Sequence, residues 1–184
     1  MGKNINLFLA DGFEEVEALA VVDLLRRSGL GCNMVSIMGR ETVTSSHQIT
    51  VQADMLLEQV DFAAADMLIL PGGMPGTTNL GACETLTNQL KEFHAAGKPL
   101  GAICAAPSVL GQCGILQGKN ATCYPGFEPK LLGADVLQEE VVRDGNIITS
   151  RGMGTAIPFG LAIVEMFLGQ GESNSLAEKI VYRQ

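Results

Sequence analysis

The chain is poor in positive charge. Its 184 residues include 12 Lys and Arg against 20 Asp and Glu, for a formal net charge of -8. Nucleic-acid grooves and sites for anionic membrane surfaces depend on clustered Lys and Arg side chains. The charge balance therefore argues against a nucleic acid or a membrane as the partner.

Cysteine patterns typical of disulfide frameworks and zinc sites are absent. The cysteines are odd in number, irregularly spaced and free of any Cys-x-x-Cys pair: Cys32, Cys83, Cys104, Cys113 and Cys123. A disulfide framework and a bound metal are therefore not expected. Reduced thiols favour a cytoplasmic location.

Long apolar runs, repeats, linkers and low-complexity segments are also missing. The apolar run over residues 4–10 is too short for a membrane span and lacks the flanks of a signal peptide. A phosphate-binding loop is excluded, because no Gly-Lys-Ser/Thr follows the glycines of residues 71–76. The length and the 47% hydrophobic content predict one domain over residues 1–184.

Apolar strands alternate with helices along most of the sequence. The patterns predict strands over 5–10, 31–37, 66–70 and 120–124, and helices over 13–28, 83–95, 156–168 and 173–181. A late hairpin over 141–149 has Asp144-Gly145 as its predicted turn. This alternation predicts an α/β fold, a doubly wound parallel sheet with helices on both faces and a small late hairpin.

The stretch from Lys98 to Cys113 places a cysteine at a predicted strand-to-helix turn. Its first half has the pattern of a buried strand, and its second half that of a helix opening at Ala105 with Pro107 in its first turn. Cys104 falls at the junction, beside the free N–H groups of a helix start. Such a position stabilises a thiolate and resembles the nucleophile elbow of hydrolases. The alternative is that Cys104 is a small buried hydrophobe.

A glutamate lies within the apolar face of the first predicted helix. At about 100° per residue, Glu17 shares that face with Phe13 and Leu24, whereas Glu15 points to the opposite side. Burial raises the pKa of a carboxyl group and makes it a possible proton donor. The alternative is that Glu17 forms an ion pair with a neighbouring cation such as Arg27.

The Gly72-Gly73 pair ends a predicted middle strand and permits close backbone approach. Because ligands bind beyond the carboxyl ends of strands in doubly wound sheets, Glu17, these glycines and Cys104 are expected to converge there. Backbone N–H groups near Gly73 and Ala105 are candidates to hold an oxyanion, and the thiol and carboxyl groups are expected to share a proton. The alternative for the glycines is an ordinary tight turn.

At these residues the chain resembles the ThiJ/PfpI superfamily, in particular the branch of the parkinsonism-associated protein deglycase and the bacterial YajL-type proteins. Four motifs in the family's order carry the resemblance: Asp11-Gly-Phe-Glu-Glu-Val-Glu17, Leu70-Pro-Gly-Gly73, Ala102-Ile-Cys-Ala-Ala-Pro107 and Thr149-Ser-Arg-Gly-Met-Gly-Thr155. The resemblance implies a flavodoxin-like fold related to class I glutamine amidotransferase domains.

The resemblance also implies roles for the site residues. Cys104 matches the family's oxidation-sensitive reactive cysteine, and Glu17 matches the carboxyl group that hydrogen-bonds it. Gly73 and Ala105 match the oxyanion-binding backbone positions, and Gly72 is a possible accessory. Family members are described as protein and nucleotide deglycases, glyoxalase-like enzymes and oxidative-stress chaperones. The implied protein is a homodimer that acts on a small carbonyl compound or a glycated protein, without metal or organic cofactor.

Two positions depart from the family's patterns. Tyr124 stands before Pro125, where several relatives have histidine, and Ala105 stands where the protease-like branch has histidine. The two histidines of the chain lie elsewhere. His94 is expected to be a solvated or capping residue of a surface helix. His47 lies in a loop that approaches the dimer interface in the family, so it and Tyr124 are accessory candidates.

Four hypotheses of function follow. The first is a cysteine-dependent deglycase or glyoxalase-like enzyme that acts on methylglyoxal or its adducts. The second is a redox-regulated chaperone or oxidative-stress sensor without turnover. The third is a cysteine-dependent amidase or protease, which requires a histidine within reach of Cys104. The fourth is a non-catalytic binding module, in which Cys104 has an ordinary pKa near ~8.5.

Overall fold

The structure, a computed structural model, describes residues 2–182. Its strands are β1 (Asn4–Leu9), β2 (Gly31–Ser36), β3 (Thr42–Thr44), β4 (Thr50–Gln52), β5 (Met55–Leu56), β6 (Met67–Leu70), β7 (Leu100–Ile103), β8 (Asn120–Ala121), β9 (Asp135–Val136), β10 (Val141–Asp144) and β11 (Ile147–Ser150). Its α-helices are α1 (Glu15–Arg27), α2 (Gly76–Ala82), α3 (Glu84–Ala95), α4 (Pro107–Gln112), α5 (Ala156–Leu168) and α6 (Gln170–Lys179). Short 3₁₀ turns lie at Leu57–Gln59, Glu128–Lys130 and Met153–Thr155.

Seven strands form the main sheet, in the order β10-β11-β7-β6-β1-β2-β5. All neighbouring pairs in it are parallel except the edge pair β10 and β11. This is the flavodoxin-like α/β arrangement that the sequence predicted. The late hairpin forms the edge of the sheet, because β11 pairs in parallel with β7. Its turn is Gly145-Asn146, one residue later than predicted, since Asp144 still pairs with Ile147 in the ladder.

Alternate residues of the central strands point into two separate cores. Leu7 and Leu9 of β1 pack with α1, α5 and α6 on one face of the sheet. Phe8 and Ala10 pack with α2, α3 and α4 on the other face. The central strands are apolar on both sides because both faces are covered, as expected for parallel sheets.

Several element boundaries differ from the sequence prediction. The α2 helix was not predicted, because its sequence Gly-Thr-Thr-Asn-Leu-Gly-Ala is rich in weak helix formers. The α4 helix begins at Pro107 instead of Ala105, since Ala105 and Ala106 form the turn that precedes it. The predicted strand over 120–124 is reduced to Asn120–Ala121, and the last helix starts at Gln170, three residues early.

Within residues 2–182, no helix combines the length and the apolar character that crossing a bilayer requires.

Candidate active site

The predicted site residues follow three neighbouring strands at one edge of the sheet. The strands β7, β6 and β1 are adjacent, and Cys104, Gly72 and the start of α1 lie beyond their carboxyl ends. The expected convergence is therefore present in the structure, because parallel neighbours end at the same edge.

Cys104 has a left-handed backbone conformation, with φ of +66°. Few side-chain-bearing residues adopt this region, which costs roughly 1–2 kcal/mol for an L-residue. Two backbone hydrogen bonds hold it there: the Cys104 N–H donates to the Ser150 carbonyl at 2.9 Å, and the Cys104 carbonyl accepts from the Tyr124 N–H at 2.8 Å. The sharp turn at the cysteine is therefore held by β11 on one side and by the loop that follows β8 on the other.

The Cys104 sulfur is half-buried and hydrogen-bonded. It contacts the Glu17 carboxyl group and the backbone N–H groups of Ala105 and Gly73. Burial, followed by the charge of an ionised Glu17 and the hydrogen bond to it, raises the Cys104 pKa to about 12, although the two N–H groups act to lower it. The sulfur therefore does not ionise on its own beside a charged Glu17. Since α4 starts three residues after Cys104, turn amides replace the helix N-terminus that the sequence suggested.

Glu17 is almost completely buried, at 1% exposure. Its Oε2 accepts a hydrogen bond of 2.9 Å from the Gly72 N–H. Burial raises its pKa to about 7; the hydrogen bond to Cys104 opposes this rise, and the charge of Glu14 adds to it. The alternative ion pair with Arg27 is wrong, because Arg27 pairs with Asp23 at 2.6 Å.

The carboxyl and thiol groups titrate as one unit. With Glu17 ionising at about 7 and Cys104 at about 12 once Glu17 is charged, the pair holds two protons below about pH 7 and one proton above it. In the one-proton state the hydrogen bond joins either a thiol to a carboxylate or a thiolate to a carboxylic acid. The sequence predicted this sharing.

Glycine at position 72 is required by the close approach of the pair. A Cβ atom on Gly72 would lie 2.5 Å from Glu17 Oε2 and 2.9 Å from Cys104 Sγ. Both distances are shorter than van der Waals contact allows. The contact between Glu17 and Cys104 therefore requires glycine at position 72. An ordinary tight turn alone would not explain this requirement.

Two loops interlock through their backbones and fix the Gly73 amide near the sulfur. The Glu14 N–H donates to the Gly72 carbonyl at 2.9 Å, and the Gly76 N–H donates to the Gly12 carbonyl at 3.2 Å. Gly73 has φ of +90°, and a Cβ on it would lie 2.3 Å from the Glu14 nitrogen. The loop after β6 is thus seated directly on the loop that starts α1.

An open depression lies on the other side of Gly152 from the acid. It has a volume of about 310 Å³ and is lined by Tyr124, Pro125 and residues 151–155. Gly152 joins this depression to the pair: its Cβ position lies 3.9 Å from Glu17 Oε1 and 3.3 Å from the Tyr124 ring. Tyr124 is 50% exposed. The Tyr124 ring, at the position where several relatives have histidine, therefore forms one wall of this depression.

Neither histidine is among the groups that contact the Cys104 sulfur. His47 Nδ1 lies 3.0 Å from Glu15 Oε1 and 3.3 Å from the Ser46 hydroxyl. His94 is half-buried at the end of α3, and its Nδ1 has no hydrogen-bond partner among the described residues. His94 was predicted to be a solvated or capping residue; it lies in the last turn of α3, as a capping residue would, but it is only partly solvated.

Glu15 was predicted on the solvent side of α1, and this is wrong. It is 9% exposed, because the loop that carries His47 covers it. Burial acts to raise the pKa of Glu15, but hydrogen bonds from its own backbone N–H and from His47 and Ser45 outweigh burial, so the pKa is lowered and the group is ionised.

Sequence reasoning missed two neighbours of the pair. Glu14 caps α1, where its Oε2 accepts from the Glu17 N–H at 2.7 Å, and its charge acts on Glu17. Glutamate is not among the usual capping residues, so no pattern singled it out. Gly152 enters the sequence analysis only as part of the family motif over residues 149–155, since its position beside Glu17 depends on how β11 pairs with β7.

The fold and the site together define this chain as a flavodoxin-like α/β protein with a cysteine on a strand-to-helix turn and a buried carboxyl group hydrogen-bonded to it. The sequence profile of the DJ-1/PfpI family matches residues 3–166. The chain belongs to this family, as the four motifs indicated.

Several members of this family are similar to this protein over most of its length. The Arabidopsis thaliana protein DJ-1 homolog B is 38% identical over 92% of this chain, which spans 39% of that longer protein. The Caenorhabditis elegans glutathione-independent glyoxalase DJR-1.2 is 34% identical, covering 91% of this chain and 89% of that protein. A solved structure of oxidized Toxoplasma gondii DJ-1 superposes with a TM-score of 0.95 at 33% identity, with 100% of each chain covered.

Proposed function

We propose that this protein is a cysteine-dependent, glyoxalase-like enzyme or deglycase that acts on methylglyoxal or on its adducts. The proposal rests on one observation. The Cys104 sulfur is hydrogen-bonded both to a buried carboxyl group and to the N–H groups of Gly73 and Ala105. A nucleophile, a proton carrier and an anion-binding pair are the components that thiol addition to a carbonyl needs. The name of the Caenorhabditis elegans relative supports the same reaction class.

The first step forms a hemithioacetal. Cys104 Sγ bonds to the aldehyde carbon, and the carbonyl electron pair moves to the oxygen. Glu17 passes the proton of the thiol to this oxygen, since the pair holds one proton at neutral pH. The N–H groups of Gly73 and Ala105 stabilise the negative charge that develops on the oxygen before the proton arrives.

The second step moves a hydrogen within the substrate. The Glu17 carboxylate removes the hydrogen of the former aldehyde carbon as a proton and returns it to the neighbouring ketone carbon. The hydroxyl proton of the first carbon moves to the oxygen of the second. The first carbon is thereby oxidised to a thioester and the second is reduced to an alcohol, so no external oxidant is needed. Water then hydrolyses the thioester, which releases lactate and restores the thiol. For a glycated amine or thiol, the bond from Cys104 Sγ to the adduct carbon replaces the bond to the amine or thiol, which leaves with the proton that Glu17 supplies. The resulting hemithioacetal then follows the second step.

Turnover of methylglyoxal to lactate tests this proposal. We expect Cys104→Ala to abolish turnover and Glu17→Gln to lower kcat by at least about 100-fold, the usual contribution of a positioned acid-base group. Cys113→Ala is the matched control, because this half-buried thiol lies at the end of α4 and outside the site. A Cys104→Ala protein that retains the wild-type rate would remove the proposed mechanism.

A second candidate function is oxidation sensing at the same sulfur. Two equivalents of peroxide convert a thiol to a sulfinate with release of two waters. The N–H groups of Gly73 and Ala105, together with a protonated Glu17, would donate hydrogen bonds to the sulfinate oxygens. The described geometry favours this candidate because the donors already surround the sulfur.

Mass spectrometry after mild peroxide treatment tests the second candidate. We expect two added oxygens on the peptide that contains Cys104, before any change at Cys83 or Cys113, which are also partly exposed. Earlier oxidation of either comparison thiol would exclude a dedicated sensor at Cys104. A chaperone role in oxidative stress stays a proposal that rests on this modification.

The amidase alternative has no support in the described contacts. The His47 ring contacts Glu15 and Ser46, and Ala105 follows the cysteine. A homodimer in the cytoplasm stays our expectation, and light scattering of the purified chain would test the dimer. A monomer at micromolar concentration would contradict it.

A further inference from the structure

A cleft on the face of the sheet away from α1 takes no part in the proposed reaction. It lies between α2, α4 and the 3₁₀ turn Glu128–Lys130, with a volume of about 280 Å³. Helices α2 and α4 cover the opposite face of the sheet from α1, α5 and α6. Among the described residues, the cleft and the depression lined by Tyr124 have no wall residue in common. The cleft is therefore distant from the α1 face, where the hairpin that carries His47 packs and where dimer contacts are expected.

The polar groups that line this cleft can donate hydrogen bonds, and one of them is charged. They include the Lys130 ammonium, the Gln112 amide and the Thr77 hydroxyl. No Asp or Glu belongs to its described walls, although the chain has a net charge of -8. The acid closest in the chain, Glu128, accepts the Gly126 N–H at 2.6 Å through its Oε2. Donors without a facing carboxylate favour an anionic ligand.

Lys130 has no acidic partner that would compete with such a ligand. Within residues 2–182, no carboxylate oxygen forms an ion pair with its ammonium group. The ammonium lies 4.6 Å from the centre of the Phe127 ring, a contact that holds the cation at the wall of the cleft without neutralising it. Together with Met74 and Val109, the ring also gives the cleft an apolar side.

The Thr77 hydroxyl is a second group without a partner. Thr77 lines the cleft and is 4% exposed, and no atom of the described residues forms a hydrogen bond with its Oγ1. Its N–H is already used, because it donates to the Gly73 carbonyl at 2.8 Å. A buried hydroxyl without a partner is destabilising, and an acceptor atom of a ligand would remove that cost.

We propose that this cleft is a second binding site, which takes a small organic monocarboxylate with an apolar body. The carboxylate accepts hydrogen bonds from Lys130 and Thr77, and the apolar body packs against Phe127, Met74 and Val109. One lysine matches the single charge of a carboxylate, whereas a phosphate group is usually held by several cations or by a loop of backbone N–H groups. The volume lies at the lower end of the range for small-molecule sites, roughly 300–1,000 Å³, so the ligand is smaller than a nucleotide.

The walls of the cleft are joined to the anion-binding amides of the reactive site. Ser108 lines the cleft, and its Oγ donates to the Ala105 carbonyl at 2.7 Å, as the Thr77 N–H donates to the Gly73 carbonyl. The N–H groups of Gly73 and Ala105 contact the Cys104 sulfur. Binding in the cleft should therefore be detected at these two amides.

NMR titration of the isotope-labelled full-length chain with benzoate tests the site. We expect the amide signals of Thr77, Gln112 and Lys130 to shift saturably, and those of Gly73 and Ala105 to shift with the same midpoint. Benzamide has the shape of benzoate without its charge, so it should bind about fivefold more weakly, the upper end for an exposed ion pair.

Two variants examine the groups that would hold the carboxylate. Lys130→Gln should weaken benzoate binding by about fivefold because it removes the charge, and Thr77→Val by a similar factor because it removes a donor. Thr77→Val should be no less stable in urea than the wild type, since the lost hydroxyl has no partner in the folded chain. Lys179→Gln, at an exposed position of α6 on the other face, is the matched control and should bind as the wild type does.

The proposal is overturned by equal affinity for benzamide and benzoate, by wild-type binding in Lys130→Gln, by the absence of saturable shifts, or by tighter binding of inorganic phosphate. A clear loss of stability in Thr77→Val would show that the hydroxyl has a partner and would also contradict it. Cys104→Ala should bind benzoate as the wild type does, and loss of binding in this variant would assign the ligand to the reactive sulfur instead. Unshifted signals of Gly73 and Ala105 would refute the connection to the reactive site. No turnover is measured, so the cleft and the proposed reaction are tested separately.

Discussion

At the scale of single residues, the site depends on two side chains in environments that proteins usually avoid. Cys104 has a left-handed backbone conformation, and Glu17 is a carboxyl group almost without solvent. Each condition is destabilising by itself. Together they place a thiol and an acid so that the two groups share protons near neutral pH. The proposed chemistry therefore depends on the strained backbone of Cys104 and on the burial of Glu17.

The backbone strain at Cys104 predicts an unusual order of stability. Cys104→Gly should be more stable than Cys104→Ala by roughly 1 kcal/mol, because glycine adopts a φ of +66° without the Cβ clash. Urea unfolding of the two variants measures the difference. The matched pair Lys91→Gly and Lys91→Ala, at an exposed position inside α3, should show the opposite order by about 1 kcal/mol. The same order at both positions would contradict the strain.

At the scale of elements, the two loops that follow β1 and β6 act as one unit. Backbone hydrogen bonds between Gly12, Glu14, Gly72 and Gly76 leave no space for side chains between them. The helix α1 therefore starts at a fixed distance from the Gly73 amide, and its first turn delivers Glu17 to the sulfur. The distance between the two loops thus depends mainly on the glycines at their contact and less on any charged residue.

Adding one methyl group to this contact should separate the pair. Gly72→Ala places a Cβ 2.5 Å from Glu17 Oε2, so we expect a loss of about 1–3 kcal/mol in the free energy of unfolding and a changed pH profile of Cys104 alkylation. Urea titration and iodoacetamide kinetics measure the two effects. Gly171→Ala, in the α6 helix with no atom within 4 Å of the new Cβ, should alter neither the profile nor the stability adversely. A wild-type alkylation profile in Gly72→Ala would refute the close packing.

At the scale of the whole molecule, the sheet order decides where chemistry can occur. The strands β7, β6 and β1 lie side by side in the middle of the sheet, with a packed core on each face. These layers bury Glu17, and a buried carboxyl group is costly when it is ionised without a compensating charge. The protonation state of Glu17 therefore affects the free energy of unfolding of the whole protein.

The raised pKa of Glu17 predicts a pH dependence of folding. Its pKa rises from 4.5 in the unfolded chain to about 7 in the folded protein, so the folded state holds a proton that the unfolded state releases between these values. The free energy of unfolding therefore falls as pH rises through this window, by about 3 kcal/mol at roughly 1.4 kcal/mol for each pH unit.

Urea unfolding of the wild type and of Glu17→Gln at pH 4 and pH 8 measures this contribution. Glutamine keeps an oxygen for the Gly72 N–H but has no titrating proton. The free energy of unfolding of the variant should not fall as the pH rises from 4 to 8. Relative to the wild type, it should therefore increase by about 3 kcal/mol over this range. Parallel curves for the two proteins would show that Glu17 titrates normally.

The sequence by itself determined the family, the α/β fold and the identities of Cys104, Glu17 and the Gly72-Gly73 pair. These depend on apolar periodicity and on short motifs whose meaning is local. The structure decided that Arg27 pairs with Asp23, that Glu14 acts on Glu17, and that Gly152 lies beside the acid. It also brought His47 against the buried Glu15. Such contacts join residues far apart in the chain, and their distances depend on strand order and loop packing, to which local sequence patterns are insensitive.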